Sequence, residues 1–273
     1  MQYSSSIHTH TPFCDGISPM RAMAEAACAQ GISALGFSPH SPLPYDNDWA
    51  MKESDFPAFF EECASLQRAY AGRLEIYKGI EWDADSPDIP AGLDYVIGAV
   101  HSLVKDGERF AIDYERSLLE SVVARRYGGD FLALCADYFE AVVSSALRPR
   151  VDVVAHFDLV AKYNDGSLFD EEDPAYLRLA TKALDAIFAQ RKDLYFEINT
   201  GAMARAGRQV PYPAPVLLRA LHERGARFII TCDCHDAAKM GYGYDAALKQ
   251  LAALRRPRLY TFSGGKFVRT GLK

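Results

Sequence analysis

Asp94-Tyr95-Val96-Ile97-Gly98-Ala99-Val100-His101 places a short β-rich run, Tyr95 to Val100, directly before a histidine. Six more runs of the same character surround it: Ser4 to His8, Ala34 to Ser38 and Leu74 to Ile80 upstream, then Val151 to Ala155, Tyr195 to Asn199 and Arg227 to Thr231 downstream. Between them, Pro19 to Gln30, Asp55 to Tyr70, Phe131 to Ala146, Pro174 to Gln190 and Ala214 to Arg224 carry apolar residues at three- and four-residue spacings, the period of helices packed on a sheet. Strands alternating with such segments predict an α/β fold whose parallel strands are joined by crossover helices.

Local chemistry marks several boundaries. Ser18 before Pro19 suits a helix N-cap and first position, and Gly31 and Gly225 suit helix stops. Leu259 to Phe262 and Lys266 to Arg269 flank Ser263-Gly264-Gly265, which predicts a terminal hairpin. No repeat, low-complexity tract or Gly/Ser linker divides the chain, so residues 1–273 read as one domain.

A length of 273 residues with 49% hydrophobic and 24% charged residues bounds the class to an ordinary globular protein. Thirty-six acidic against thirty basic residues give a net charge of -6, which repels a polyanion and weighs against extended nucleic acid as a partner. Met1 to Ile7 lacks the basic start and apolar run of a signal peptide, and no apolar stretch approaches membrane-spanning length, so cytoplasmic residence is the expectation. The six cysteines are scattered through a chain too large to need disulfide staples and read as reduced thiols.

On the strand map, His8 and His10, His40, His101, His156 and His235 each fall at or just beyond a strand's C-terminal end, while His222 falls in a predicted helix. A single such histidine is more often structural or solvent-exposed. Barrel enzymes build their active sites at the C-terminal strand ends, so the shared position points to convergence there. Asp15, Glu81 and Asp233 occupy equivalent places. Imidazoles and carboxylates together suit zinc, manganese or iron, and a bridging carboxylate can hold two cations. A helix cap or turn is the competing explanation of Asp15, and a surface turn explains Asp83 and Asp85. Cys232 and Cys234 would alternate away from Asp233 along a continuing strand, as packing residues.

The ordered series His8-Thr9-His10-Thr11, Asp15-Gly16, His40, Gly79-Ile80-Glu81, His101, His156 and Asp233-Cys234-His235 resembles the polymerase-and-histidinol-phosphatase (PHP) family from the first strand to the seventh. The resemblance implies a distorted seven-stranded (β/α)7 barrel with two or three divalent ions. It implies that His8, His10, Glu81 and Asp233 hold the first ion, that Glu81 bridges to a second held by His101 and His156, and that Asp15, His40 and His235 complete a third site.

Asp94 to His101, His156-Phe157-Asp158-Leu159-Val160-Ala161-Lys162-Tyr163 and Glu197-Ile198-Asn199-Thr200-Gly201 resemble the family's histidinol-phosphatase branch. The implied reaction is hydrolysis of L-histidinol phosphate, a small-molecule phosphate monoester, to L-histidinol and phosphate by metal-activated hydroxide. Arg205 and Lys162, on loops after the sixth and fifth strands, are the candidate phosphate-binding cations, with Arg208 as a substitute; a solvated surface charge is the competing explanation of either of the first two. Glu197 and Asp158 suit either substrate recognition or the orientation of histidines. No residue is assigned as general acid, and the sequence does not specify an oligomeric state. A phosphodiesterase or exonuclease, a non-catalytic metal-stabilised module and an amidohydrolase are the competing readings; the positions of Glu81, His101 and His156 weigh against the last.

Overall fold

A computed structural model describes residues 3–271; Met1 and Gln2, at the start of the segment read as lacking a signal peptide, lie outside it. The strands are β1 (Ser5–Ser6), β2 (Ala34–Phe37), β3 (Glu75–Asp83), β4 (Tyr95–Ala99), β5 (Ser102–Lys105), β6 (Glu108–Ala111), β7 (Val153–Val154), β8 (Tyr195–Asn199), β9 (Arg227–Thr231), β10 (Arg258–Ser263) and β11 (Lys266–Thr270). The helices are α1 (Met20–Ala29), α2 (Phe56–Ala69), α3 (Arg116–Arg126), α4 (Phe131–Ala146), α5 (Pro174–Gln190), α6 (Gly201–Arg205), α7 (Pro215–Glu223) and α8 (Tyr244–Ala252).

Nine strands form one curled sheet in the order β1-β2-β3-β4-β7-β8-β9-β10-β11. Its neighbours are parallel except for the terminal hairpin of β10 and β11. The sheet is thus larger than the expected seven strands. A parallel bridge between Thr9 and Cys234 joins the chain beyond β1 to the chain beyond β9. Strand spans shift accordingly. The run Ser4 to His8 is a ladder only at Ser5–Ser6, because His8 and His10 leave β2 and pair with Cys234. β3 runs on to Asp83, past Ile80, because β4 pairs with it as far as Asp83 and Ala99.

The packing follows the sequence period. Met20, Met23, Ala24 and Ala27 form the buried stripe of α1, and Leu134, Cys135, Tyr138, Phe139 and Val142 that of α4. Each fully buried large apolar side chain contributes about 1.5–3 kcal/mol. Inside the sheet, Tyr95 donates a 2.5 Å hydrogen bond to the carbonyl of Ile7, and its ring fills the space left by Gly36 and Gly79, where any Cβ would collide with it. This contact anchors the chain immediately before His8.

Three sequence expectations are corrected. Ser18 does not cap α1; its hydroxyl accepts from Ala237 N at 3.0 Å, tying that loop to the one after His235. The β5–β6 hairpin, with Asp106 and Gly107 at positive φ, and helices α3, α6 and α8 lie outside the expected elements. Asp106-Gly107 carries the hairpin-turn signal. Asp83 is buried rather than in a surface turn. No helix among the described residues is long and apolar enough to cross a membrane.

Candidate metal centre

Six parallel strands deliver polar residues to the same end of the sheet. His8 and His10 follow β1, His40 follows β2, Glu81 lies near the end of β3, His101 follows β4, His156 follows β7, and Asp233 and His235 follow β9. A parallel sheet presents all its C-terminal strand ends on one face, which gathers residues from across the chain into one place. His222 lies apart, in the last turn of α7.

Glu81 is the centre of the group and is buried. Its Oε1 lies 3.0 Å from His156 Nε2 and 3.4 Å from His101 Nε2. Its Oε2 lies 2.9 Å from His40 Nδ1, 3.2 Å from His8 Nε2 and 3.5 Å from His10 Nε2. The two oxygens therefore face two different sets of imidazoles. Asp233 Oδ1 lies 3.3 Å from His10 Nε2 and 3.8 Å from His8 Nε2. Nearer the rim, Asp15 faces His10 and His40, each at 3.6 Å, and His235 at 3.3 Å. Three sets of ligand atoms lie close enough to share an ion: His8, His10 and Asp233; His40, Glu81 and His101; and His10, Asp15, His40 and His235. His10 and His40 each belong to two sets, so the geometric grouping cuts across the division that the family resemblance implies.

The donor chemistry fits divalent cations. His8 Nε2, His10 Nε2, His40 Nδ1 and Glu81 Oε2 are buried without a hydrogen-bond partner in the protein, although each of the three nitrogens lies within 3.5 Å of Glu81 Oε2. Unpartnered buried polar atoms are costly, and a cation would satisfy them together. Mixed imidazole and carboxylate donors suit zinc and its first-row neighbours.

Buried acids orient the imidazoles from behind. His8 Nδ1 lies 2.6 Å from Glu197 Oε1, which fixes Nε2 as the atom facing Glu81. Glu197 also accepts from Thr231 Oγ1, His156 N and Asn199 Nδ2, so it serves orientation. Asp83 Oδ2 does the same for His101 Nδ1 at 2.8 Å, which is why this acid is buried. Asp85, beside it, bonds Ser102 Oγ and Arg109. Asp158 accepts from Ala214 N at 2.9 Å, away from the imidazoles. Asp233 adopts φ 46°, an uncommon conformation for a residue with a side chain, and so turns its carboxylate into the cluster. Cys232 and Cys234 contact Ser6 and Met23 on the far side, and neither belongs to a candidate ligand set.

The charges reinforce one another. Burial alone would depress His8 and His101, but Glu197, Glu81 and Asp233 around the first, and Glu81 and Asp83 around the second, hold both well above the ordinary histidine value. Burial, with His235 and His40 nearby, holds His10 well below it. Burial works against ionisation of Glu81 and Asp233, yet the surrounding histidines, and Arg205 beside Asp233, keep both carboxyls well below the usual range.

A cavity of about 130 Å³ opens on this cluster and is lined by, among others, Arg205, Lys162, Asp113 and Tyr212. Arg205 Nη2 lies 2.9 Å from Asp233 Oδ2, and its Nη1 lies 2.8 Å from His235 Nδ1. Lys162 donates to the carbonyl of Asp113 at 2.6 Å and to its carboxylate at 3.2 Å. Arg208 pairs with Glu171 at 2.8 Å and lines a separate cavity of about 610 Å³ that shares only Lys162 with the candidate site. Asp113, Tyr212 and Trp49, whose ring packs edge-on to His40 at 4.8 Å, are not singled out by sequence pattern, because they lie in connecting segments outside the periodic elements.

A curled parallel sheet whose strand ends converge on imidazoles and carboxylates defines a class of metal-dependent hydrolase centre. The PHP domain model matches residues 6–201, and the chain belongs to the PHP family. It is 33% identical over 258 residues to a Deinococcus radiodurans protein named "Probable histidinol-phosphatase", covering 89% of this chain and 91% of that one. It is 26% identical to the histidinol-phosphatase of Bacillus subtilis, covering 89% and 97%. Among solved structures, histidinol phosphate phosphatase from Lactococcus lactis, complexed with Zn, L-histidinol and phosphate, has a similar fold, with a TM-score of 0.70, 20% identity, and coverage of 98% of this chain and 100% of that one.

Proposed function

We propose that this protein hydrolyses L-histidinol phosphate to L-histidinol and inorganic phosphate, as a cytoplasmic enzyme of histidine biosynthesis. The observation that carries the reading is Glu81, whose two carboxylate oxygens face separate imidazole sets beside a cavity bearing two cations. The histidinol-phosphatase names of its relatives supply the substrate.

His8, His10, Glu81 and Asp233 would hold one ion, Glu81, His101 and His156 a second, and Asp15, His40 and His235 a third. Zinc, present in the Lactococcus lactis structure, leads over manganese and iron. Two or three bound cations would supply Lewis-acid polarisation of the phosphate and a hydroxide near neutral pH. Glu197 and Asp83 keep the ring nitrogens of His8 and His101 in the metal-facing tautomer. Arg205 and Lys162 bind the phosphate oxygens, and Arg205 is pre-positioned by its contact with Asp233. We read residues 1–273 as one domain, and the first seven of the sheet's eight parallel strands, β1, β2, β3, β4, β7, β8 and β9, as the distorted (β/α)7 barrel.

The test is a parallel assay of metal-reloaded protein on histidinol phosphate and on a dinucleotide phosphodiester. Phosphate release from the monoester alone supports the reading. Cleavage of the diester alone overturns it in favour of a nuclease, and inactivity towards both at full metal loading favours a binding module.

A further inference from the structure

The cavity at the metal centre is prepared for an anion by Arg205 and Lys162, yet its lining includes one carboxylate that belongs to none of the candidate ligand sets, Asp113. We infer that Asp113 is a specificity-determining residue that receives a cationic amine carried next to the phosphate ester. This rests on the functional reading above, in which the substrate bears an ammonium group on the carbon beside the ester-bearing one.

Three observations support the assignment. First, Asp113 is held in place by its backbone: Ile112 N bonds the carbonyl of His101 at 2.9 Å, closing the base of the β5–β6 hairpin, and Tyr163 Oη donates to the Asp113 carbonyl at 2.7 Å. The segment is thereby folded back over His101, and the carboxylate stands within the electrostatic reach of Lys162, His101 and His156. Second, Lys162 does not depend on that carboxylate for its position, because its shorter bond, 2.6 Å, goes to the Asp113 carbonyl, while the carboxylate contact is 3.2 Å. A ligand ammonium can therefore take up carboxylate lone pairs without releasing the lysine. Third, an ionised carboxylate beside a phosphate site repels phosphate unless the ligand brings a compensating positive charge. An acid here thus lowers affinity for simple phosphate esters and favours those with an adjacent ammonium.

Asp113→Asn keeps the shape and removes the charge. Steady-state kinetics are measured for histidinol phosphate and its des-amino analogue, imidazolylpropyl phosphate. The expected result is a 10- to 100-fold loss of kcat/KM on histidinol phosphate, mainly through KM, with the analogue changed less than about threefold; a charge-assisted contact is of that size. Lys162→Met, which removes a phosphate contact common to both esters, should lower both alike. If Asp113→Asn also lowers both alike, Asp113 only positions Lys162 and the inference is overturned. The wild-type protein gives an independent check should the variant fail to fold, because equal kcat/KM on the two esters overturns the inference by itself. Failure of the functional reading looks different, with neither imidazole ester turned over. The amine preference is then scored on ethanolamine phosphate against ethyl phosphate, where equal turnover or equal inhibition overturns it.

Discussion

His8 Nδ1 lies 2.6 Å from Glu197 Oε1, so that a histidine beyond the first strand is oriented by an acid on β8, 189 positions later in the chain. The contact determines which ring nitrogen is left for the cluster, because a proton held between Nδ1 and Glu197 makes Nε2 the free donor atom. The same carboxylate accepts from Thr231, His156 and Asn199, so both of its oxygens are committed.

Glu197→Gln places an amide N–H₂ against groups that already donate. We expect metal affinity to fall about 10- to 100-fold, with activity following it at limiting metal. Metal titration with far-UV circular dichroism as a folding control checks this; unchanged affinity would mean that His8 needs no orienting acid.

Glu81→Gln should remove at least one equivalent of bound metal and lower kcat by at least about 100-fold, since a neutral amide cannot offset the repulsion between two cations. Elemental analysis beside the kinetics decides the point. Full stoichiometry with near-normal turnover would refute a bridging role.

Metal binding should weaken on acidification and release protons near neutral pH. Glu197, Glu81 and Asp83 hold His8 and His101 above the ordinary value against the effect of burial, so in the metal-free protein a cation must displace protons from them. Calorimetric titrations in buffers of different ionisation enthalpy measure the release. Heats independent of the buffer would contradict it.

Gly79→Ala drives a Cβ into the Tyr95 ring and should destabilise the fold by about 1–3 kcal/mol or more. Tyr95→Phe removes the donor to Ile7 O and should cost about 1–3 kcal/mol. Denaturant unfolding gives both values. A neutral Gly79→Ala would show that the ring is free to move.

Asp158 is pushed up to about 6 by burial, with Arg208 partly offsetting the shift. A carboxyl with a folded pKa above its unfolded value holds its proton longer in the native state, so its contribution to stability falls as pH rises from about 4 to about 6. The stability of wild type relative to Asp158→Asn should therefore decline by about 2 kcal/mol between pH 4 and pH 6, the larger part of the ~3 kcal/mol that a shift of two pKa units implies in full. Urea denaturation of the metal-free proteins at both pH values tests it, and the opposite slope would falsify the assignment of Asp158 as a buried acid whose Oδ1 has no hydrogen-bond partner.

The legible part of this protein was periodic or ordered along the chain. Apolar runs at Tyr95, Tyr195 and Arg227 and helical stripes such as that of α4 carry their structure in local spacing, and β8 and β9 start and end where the pattern places them. The order His8, His10, Asp15, His40, Glu81, His101, His156, Asp233 and His235 was readable because each residue lies near the end of a strand or in the loop that follows it, positions that parallel topology assigns to one face. The β5–β6 hairpin was readable in principle from Asp106-Gly107, but its strands are short and half exposed.

Tertiary structure alone decided what stands behind and beside those residues. Asp83 looks like one of several acids in a turn until pairing with β4 buries it against His101, and Ser18 looks like a helix cap until the loop after His235 comes within reach. Asp113 acquires its place only because the hairpin base and Tyr163 fold it over the cavity. Local sequence fixes φ, ψ and the face a side chain occupies, whereas a buried polar group's partner is whichever chain segment the curled sheet brings within hydrogen-bonding distance.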